Sequence, residues 1–257
     1  MYILKSLINL YRLHKFRGKF KDTKIINGYF SYKTSGFYSQ AGQDSFLYSE
    51  FFKQINSDKF TKVIVDVGCN HPEKYSNSYF FEKYLDFECI AVDPLDDYKN
   101  SWLNTRPKAK HFCLALGDQD NEMQLEIPQS KNMNQLPLSD LNTDMLSSFC
   151  TSKKNKTSYE FSYRKVRVVR SQKFLEEINL KKIGILSLDV EGFEMNVLRG
   201  LDFSATEILI AVIENNTPRI YGSDEIRLFM QEKGFIFYAR FWGLDDIYIN
   251  KIFLNKV

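Results

Sequence analysis

The sequence predicts an α/β fold built on a mostly parallel sheet with helices on both faces. Five apolar, β-branched runs end abruptly in a glycine, a proline or an acid, which is typical of buried parallel strands. These runs alternate with segments of helical periodicity. Hydrophobic residues make up 44% of the 257 residues, enough to cover a sheet on both sides. We therefore expect one large domain rather than two small ones.

The predicted elements follow one another in a regular order. The five core strands are expected at 62–70, 87–94, 109–118, 182–190 and 207–215. A helix follows the first strand over 77–85, and Ser76 can cap its start. The most clearly marked helix covers 223–234, because its acids lie in the first turn and Gly234 closes it.

Further strands are expected outside this core. Residues 121–129 form an extra strand, and segments 235–240 and 246–254 alternate enough to pair as a terminal antiparallel couple. Residues 130–158 are rich in Asn, Ser, Thr and Lys, and we interpret them as an inserted long loop or small lid.

Residues 1–38 are interpreted as a basic N-terminal helical extension, which leaves 39–257 as the main domain. Within 1–24, seven Lys and Arg accompany a single acid, and apolar residues recur at helical spacing. Two interpretations remain for this amphipathic helix. It packs on the domain or on a second subunit of a homo-oligomer, or it docks on an anionic membrane face.

Composition excludes several classes of protein. The N-terminal apolar run is short and broken by Lys5, unlike a signal peptide, and no stretch is long enough to span a membrane. The formal charge of +3 gives no reason to expect a nucleic-acid partner. The four cysteines are too far apart in sequence to suggest zinc or a disulfide framework. We expect a cytoplasmic protein, either free or peripheral to the inner face of the membrane.

Acids mark the carboxyl ends of all five predicted core strands. Ligands of open α/β sheets bind beyond these ends, near the point where strand order reverses. A single acid there often only caps a turn, whereas five in succession indicate a site. The five are Asp66, Asp93, Asp118, Asp189 and Glu214.

The first two strand ends indicate a nucleoside ligand. Gly68 lets the backbone approach a ligand closely, and Asp93 can accept both hydroxyls of a ribose. However, no second or third glycine follows Gly68, so a pyrophosphate has no glycine-rich loop to bind. Asp66 and Glu73 would also repel one. A cationic nucleoside without phosphates fits better, and S-adenosylmethionine is such a ligand.

The chain resembles the FkbM family of S-adenosylmethionine-dependent methyltransferases. The matching motifs, in the family's order, are SQAGQD (39–44), VDVGCNHPEKYSNSYFFEK (65–83), AVDP (91–94), LALGD (114–118) and LSLDVEGFE (186–194). The resemblance implies a Rossmann-like class I methyltransferase fold with seven strands, the last of them antiparallel. It also implies an acceptor that is often a sugar or polyketide hydroxyl.

Within these motifs we expect S-adenosylmethionine to contact eight residues. They are Gln43, Asp66, Gly68, Asn70, Ser76, Asp93, Gly117 and Asp118. One departure from the family pattern concerns the loop after Asn70, where many members have a second glycine and this chain has His71-Pro72-Glu73. This loop is therefore expected to hold the methionine end of the cofactor differently.

The carboxylates after the fourth core strand are the candidate catalytic groups. A sugar hydroxyl is a poor nucleophile near neutral pH, so a base or a bound cation must help to remove its proton. Asp189, Glu214 and Asn215 end neighbouring strands and offer oxygen ligands suited to Mg²⁺, Mn²⁺ or Fe²⁺. Glu191 is then the general base or a further ligand. Three alternatives remain: a metal site, a metal-free base, or simple helix capping.

His71 is a further candidate base or substrate contact, although a plain loop histidine fits the sequence as well. We expect O-methylation of a sugar, or of a sugar nucleotide, for a surface polysaccharide or glycolipid. Lys153, Lys154 and Lys156 are candidates to contact the diphosphate of such an acceptor, although a solvated loop fits their sequence better. The rival hypotheses are a nucleotide-binding oxidoreductase, which the missing glycines disfavour, and a non-catalytic membrane-docking module using residues 1–24.

Overall fold

The computed structural model describes residues 24–26, 36–53, 60–129, 148–149, 160–216, 222–241 and 243–254. The strands are β1 Lys24–Ile26, β2 Val63–Val67, β3 Glu88–Asp93, β4 Lys110–Cys113, β5 Ala115–Gly117, β6 Asn121–Gln129, β7 Ser148–Phe149, β8 Glu160–Arg170, β9 Lys182–Leu188, β10 Glu207–Glu214, β11 Phe235–Phe241 and β12 Asp245–Asn250. The helices are α1 Gln43–Leu47, which continues as a π-helical turn over Tyr48–Phe52, α2 Tyr79–Leu85, α3 Lys99–Thr105, α4 Ser171–Glu177, α5 Glu194–Arg199, α6 Asp224–Glu232 and α7 Lys251–Leu254.

The main sheet contains eight described strands in the order β1-β11-β12-β10-β9-β2-β3-β4. Neighbouring strands run parallel except around β12, which is antiparallel to both β10 and β11. Strand order reverses between β2 and β9. From β2 the chain adds β3 and β4 towards one edge of the sheet, and from β9 it adds β10 towards the other edge. The mostly parallel α/β sheet expected from the sequence is therefore present. The strand beyond the expected seven is β1, which pairs with β11 at the edge.

A second sheet, in the order β5-β8-β6-β7, corrects one prediction and contains one strand that was not predicted. The run 109–118 was expected to be one core strand, but β4 ends at Cys113 and β5 joins the second sheet by pairing with β8. Strand β8 was not predicted. Its sequence looks polar because Arg164, Lys165 and Arg167 are exposed, although Val166 and Val168 between and beyond them are buried.

Apolar side chains cover both faces of the main sheet, because successive strand residues point to opposite sides. Val65 packs in a core with residues from α4, α5, α6 and the second sheet. Ile64, its neighbour in sequence, packs on the other face with residues from α1, α2 and α3. The carboxyl ends of β2, β9 and β10 are thereby fixed at one edge between two helical layers.

The expected N-terminal helix at 1–24 lies outside the described residues except for Lys24, which begins β1. The expected insertion at 130–158, including its lysines, also lies outside them except for β7. Within the described ranges, no helix combines the length and the apolar character needed to cross a membrane.

Candidate active site

The SQAGQD motif folds into a tight turn that begins α1. Asp44 accepts hydrogen bonds from the backbone N–H of Tyr38 at 2.6 Å and of Ser39 at 3.1 Å, and from the Ser39 hydroxyl at 2.5 Å. Gly42 caps α1 in the left-handed region, with a φ of 87°. The serine, glycine and aspartate of the motif therefore build the turn, and this leaves Gln43 to face the sheet.

The loop after β2 is fastened to the strand ends on both sides. Asp93 accepts hydrogen bonds from the backbone N–H of Asn70 at 3.0 Å and of Leu95 at 2.9 Å. Gly68 has a φ of +82°, and a Cβ at this position would lie 1.7 Å from the carbonyl oxygen of Asp189. The close backbone approach predicted at Gly68 is thus to Asp189, and it brings the cofactor loop against the predicted catalytic strand end.

Helix α3 supports the rest of this loop. The Trp102 indole donates to the carbonyl of Asn70 at 2.8 Å, and the buried Arg106 guanidinium donates to the carbonyl of Pro72 at 2.9 Å. Arg106 also donates to the Ser76 hydroxyl at 3.2 Å, which in turn accepts from the backbone N–H of Tyr79 at 3.2 Å. Ser76 therefore supports the start of α2, as predicted for a helix cap. It is not among the described residues that line the cleft, although it was also expected to contact the cofactor.

His71 also serves the shape of the loop. Its Nδ1 atom accepts the backbone N–H groups of Glu73 at 3.1 Å and of Lys74 at 3.0 Å, and its ring packs edge-on against Tyr98. These bonds leave Nδ1 as an acceptor within the turn. The structure does not bring His71 together with Asp189, Glu191 and Glu214.

A narrow cleft connects the loop after β2 with the end of β9. Its described lining residues are Gln40, Gln43, Asp66, Gly68, Cys69, Asn70, Lys74, Tyr75, Asn77 and Asp189. Two buried acceptor atoms among them, Asp66 Oδ2 and Asn77 Oδ1, have no hydrogen-bond partner within the described part of the chain. Burial raises the pKa of Asp66, while hydrogen bonding to Ser78 and the charge of Arg106 lower it. Such atoms mark a place where a ligand donor would be stabilised.

Three carboxylates converge beside the cleft. Asp189, Glu191 and Glu214, here called the carboxylate cluster, each offer an oxygen atom, and these atoms lie within 4.8 Å of one another. Glu191 adopts a left-handed φ of 54°, and Gly192 follows with a φ of 100°. Glu194 then closes the turn by accepting the N–H groups of Val190 at 3.2 Å and Gly192 at 2.9 Å. It stabilises the start of α5.

The electrostatics of the carboxylate cluster favour bound protons or a bound cation. Burial raises the pKa of Asp189 well above its usual range, and the negative charges of Glu191, Asp245 and Glu194 raise it further. Burial and the charge of Asp189 likewise raise the pKa of Glu214. Asp189 and Glu214 are hydrogen-bonded to each other, so they titrate as a pair.

Asn215 lies outside the carboxylate cluster, although it was expected to be a metal ligand. Its amide nitrogen donates to Asp246 at 2.7 Å and to the carbonyl of Ser223 at 3.1 Å, and its oxygen accepts the Ser223 N–H. Asp246 is fully buried and is also paired with Arg227 and Arg240. Asn215 therefore joins β10 to α6 and β12, and Glu191 occupies the third position of the cluster.

Asp245 lies beside the candidate site, and sequence reasoning did not place it there. It lies opposite Glu214 in the antiparallel register of β10 and β12, and it accepts a hydrogen bond from the Gln43 amide, whose oxygen accepts the Ala41 N–H at 2.9 Å. Burial raises the pKa of Asp245 to about 6, against the effect of the Gln43 hydrogen bond. A signal was present in the sequence as the paired acids Asp245-Asp246, but their position at the start of the predicted terminal strand 246–254 gave no reason to place them near Asp189.

Gly117 and Asp118 are not brought to the cleft. Gly117 lies in the second sheet, where a Cβ would meet Val168 at 2.8 Å, and its carbonyl accepts the Ser171 hydroxyl at 3.1 Å. Asp118 is exposed at the end of β5. Of the eight residues expected to contact the cofactor, Gln43, Asp66, Gly68 and Asn70 line the cleft, and Asp93 holds Asn70 from behind.

This arrangement of strand ends agrees with the comparison with known families. The family model described as the methyltransferase FkbM domain matches residues 66–237, which is more than half of the chain. The chain belongs to the FkbM methyltransferase family. The resemblance drawn from the sequence motifs is thereby confirmed, and the protein is a methyltransferase. The family implies S-adenosylmethionine as the methyl donor. Neither the curated proteins nor the solved structures yield a match to this FkbM chain.

The FkbM region begins within β2 and ends within β11. It contains the loop after β2 and the whole carboxylate cluster. Gln43 and Asp245 lie on either side of it in sequence, yet they meet at the cleft. The lining of the candidate cleft therefore includes Gln43, which lies outside the matched segment.

Proposed function

We propose that this FkbM methyltransferase transfers a methyl group from S-adenosylmethionine to a hydroxyl of a small polar acceptor, either a sugar or a sugar nucleotide used for a surface polysaccharide or glycolipid. The observation that carries the proposal is the single cleft lined both by the Asp66–Asn70 strand end and by Asp189. A cofactor bound along the Asp66–Asn70 strand end would have its sulfonium group beside the carboxylates.

The residues of the cleft fit the cofactor. The unpartnered oxygens of Asp66 and Asn77 suit a ligand ammonium group, because each is a buried acceptor without a donor. Next to this lining, at the end of β3, the carboxylate of Asp93 accepts the backbone N–H groups of Asn70 and Leu95, and carboxylate oxygens have further lone pairs that suit ribose hydroxyls. When bound, S-adenosylmethionine supplies the methyl group carried on its sulfonium.

The carboxylate cluster supports transfer to oxygen because a hydroxyl must lose its proton. Asp189 lines the cleft and would accept a hydrogen bond from the acceptor hydroxyl. Glu191, within 4.8 Å of Asp189 by the nearest ligand oxygens, would receive the proton as general base. The cluster lies where the acceptor would approach, at the end of β9 and β10.

A divalent cation held by the carboxylate cluster is a second form of the same mechanism. Three carboxylate oxygens within 4.8 Å of one another provide the oxygen donors that Mg²⁺ and Mn²⁺ prefer. A cation would offset the mutual repulsion that raises the pKa of Asp189 and Glu214. The cation would also lower the pKa of a bound acceptor hydroxyl, so that a strong base would not be needed to remove its proton.

The function is tested by calorimetry and by mass spectrometry. We expect S-adenosylhomocysteine, the demethylated product, to bind and NAD not to bind. Incubation of S-adenosylmethionine with a panel of sugars and sugar nucleotides should then yield a product heavier by one methylene group. Preferential binding of NAD would support the oxidoreductase alternative and refute the proposal.

The metal is tested separately. If the carboxylate cluster holds a divalent cation, EDTA should abolish turnover while leaving S-adenosylhomocysteine bound, and Mg²⁺, Mn²⁺ or Fe²⁺ should restore it. Asp189→Asn should lower the rate at least about 10²-fold, as expected when activation of the nucleophile is lost. Glu232→Gln, an exposed carboxylate at the end of α6, is the control and should have no effect.

Two outcomes would contradict the metal. If activity survives exhaustive chelation but is lost in Glu191→Gln, the cluster acts through a base without a cation. If activity survives both treatments, the cluster only shapes the start of α5, and the catalytic group lies elsewhere.

A further inference from the structure

Lys74 is the only positively charged side chain among the described residues that line the cleft. The other ionisable side chains in that lining are Asp66 and Asp189, together with the ordinarily neutral Cys69 and Tyr75. The cleft therefore combines unpaired acceptor atoms with a single cation. A ligand that matches both must carry a donor group and an anionic group close together.

The backbone presents Lys74 to the cleft from a fixed position. On one side, the Lys74 N–H donates to His71 Nδ1 at 3.0 Å. On the other, Tyr75 has a φ of 59° and forms a β-bridge with Ser39, next to the turn that carries Gln43. The Lys74 ammonium lies 5.3 Å from the centroid of the Tyr75 ring. Contacts with His71 on one side and Ser39 on the other therefore hold the backbone around Lys74.

The same hydrogen bonds remove backbone donors that a nucleotide-binding loop usually offers. Glycine-rich loops bind anions through free N–H groups. Here Pro72 has no N–H, and the N–H groups of Glu73 and Lys74 are both directed at His71. The Asn70 N–H donates to Asp93. An anionic group at this end of the cleft must therefore rely more on a side chain.

We propose that Lys74 binds the carboxylate of the amino-acid end of the cofactor, in place of the backbone N–H groups of a glycine-rich loop, while Asp66 and Asn77 accept the neighbouring ammonium. This inference rests on the proposed function, since it takes S-adenosylmethionine as the ligand. It makes the cleft selective for a nucleoside thioether that carries an intact α-amino acid.

Calorimetry with two ligands tests the assignment. S-adenosylhomocysteine carries the amino acid, whereas 5′-methylthioadenosine has the same nucleoside and thioether without it. We expect Lys74→Met to weaken S-adenosylhomocysteine binding at least about tenfold, the effect of losing a charge-assisted hydrogen bond, and to leave 5′-methylthioadenosine unchanged. Lys74→Arg should retain most of the affinity. Lys182→Met, at the exposed start of β9, is the matched control and should bind both ligands as the wild type does.

Each other outcome overturns the assignment. Equal loss of both ligands would show that the substitution distorts the loop, and unchanged affinity for S-adenosylhomocysteine would remove Lys74 from the cofactor site. A rise in KM for the acceptor with normal cofactor affinity would assign Lys74 to the acceptor instead. If the wild type binds neither ligand, the proposed function itself fails, which is distinct from a failure confined to Lys74.

Discussion

His111 lies flat against Trp102, the residue whose indole holds the loop after β2. The two ring centroids are 5.0 Å apart and the planes differ by 10°. Burial, together with the positive charges of Lys99 and Arg106, lowers the pKa of His111 from 6.5 to about 4. The imidazole is therefore neutral in the folded protein across a pH range in which an unfolded chain binds a proton there.

This difference predicts an acid-dependent loss of stability. As pH falls from 6.5 towards 4, the unfolded state gains a proton at His111 that the folded state resists, so folding is weakened over that window. We expect His111→Phe, which keeps an aromatic ring beside Trp102, to gain stability relative to the wild type as pH falls. Urea unfolding at pH 7 and at pH 4.5 measures the difference. A difference between the two proteins that does not change with pH would contradict the prediction.

Individual site residues were predictable where strand ends alone decide position. Asp66, Gly68, Asp189 and Glu214 meet because parallel strands place their carboxyl ends together. Asn215 was misplaced among the ligands because its side-chain direction depends on Ser223 and Asp246, which no local pattern connects to it. Asp245 was missed for the same reason, since its place beside Glu214 depends on the register of β12.

At the scale of elements, the close contact between the ends of β2 and β9 depends on Gly68, which has no side chain. Gly68 and Gly192 both have positive φ values, yet their surroundings differ. A Cβ on Gly68 would lie 1.7 Å from the Asp189 carbonyl, whereas a Cβ on Gly192 would meet nothing within 4 Å. Substitutions at these two glycines therefore distinguish the cost of a left-handed backbone from the cost of a steric clash.

We expect Gly192→Ala to cost about 1–2 kcal/mol of folding free energy, the strain of a left-handed alanine. Gly68→Ala should cost at least about 3 kcal/mol, because the overlap with Asp189 adds to that strain. Chemical denaturation of the two variants gives the comparison. Equal losses would show that the β2 loop can withdraw from Asp189 without penalty.

Elements were predicted well where apolar runs are continuous and poorly where they are not. The buried strands β2, β3, β9 and β10 and helix α6 lie within their predicted segments. The run 109–118 concealed a break at Leu114, because β4 and β5 follow one another without a glycine or proline between them and only their partners differ. Strand β8 escaped notice because the exposed Arg164, Lys165 and Arg167 interrupt its apolar residues, which in sequence resembles a loop.

At the scale of the whole molecule, the edge of the main sheet beyond β11 is covered by β1. Lys24 of this strand forms an ion pair with Glu50 and lies 5.0 Å from the centroid of the Tyr238 ring. Within the part of the chain that the structure describes, every residue that lines the cleft follows Gly36.

We therefore expect a chain beginning at Lys24 to bind S-adenosylhomocysteine and to turn over a soluble acceptor as the full chain does. A chain beginning at Gly36 should bind the same ligand but melt at a lower temperature and associate more, because the β11 edge is then uncovered. Calorimetry, thermal melting and size-exclusion chromatography distinguish the two. Loss of turnover in the chain that begins at Lys24 would show that residues 1–23 take part in the reaction.

The hydrogen bond between Gln43 and Asp245 has a consequence for the order in which the protein is made. The two residues are 202 positions apart, and between them lie the loop after β2 and the carboxylate cluster. During synthesis, β2, β3 and β9 can emerge and begin to pair long before β12 leaves the ribosome. Gln43 therefore has no Asp245 to bind during most of translation. The Gln43 side chain is therefore held by Asp245 only once β12 has been made, so a chain released before β12 would lack this contact beside the cleft.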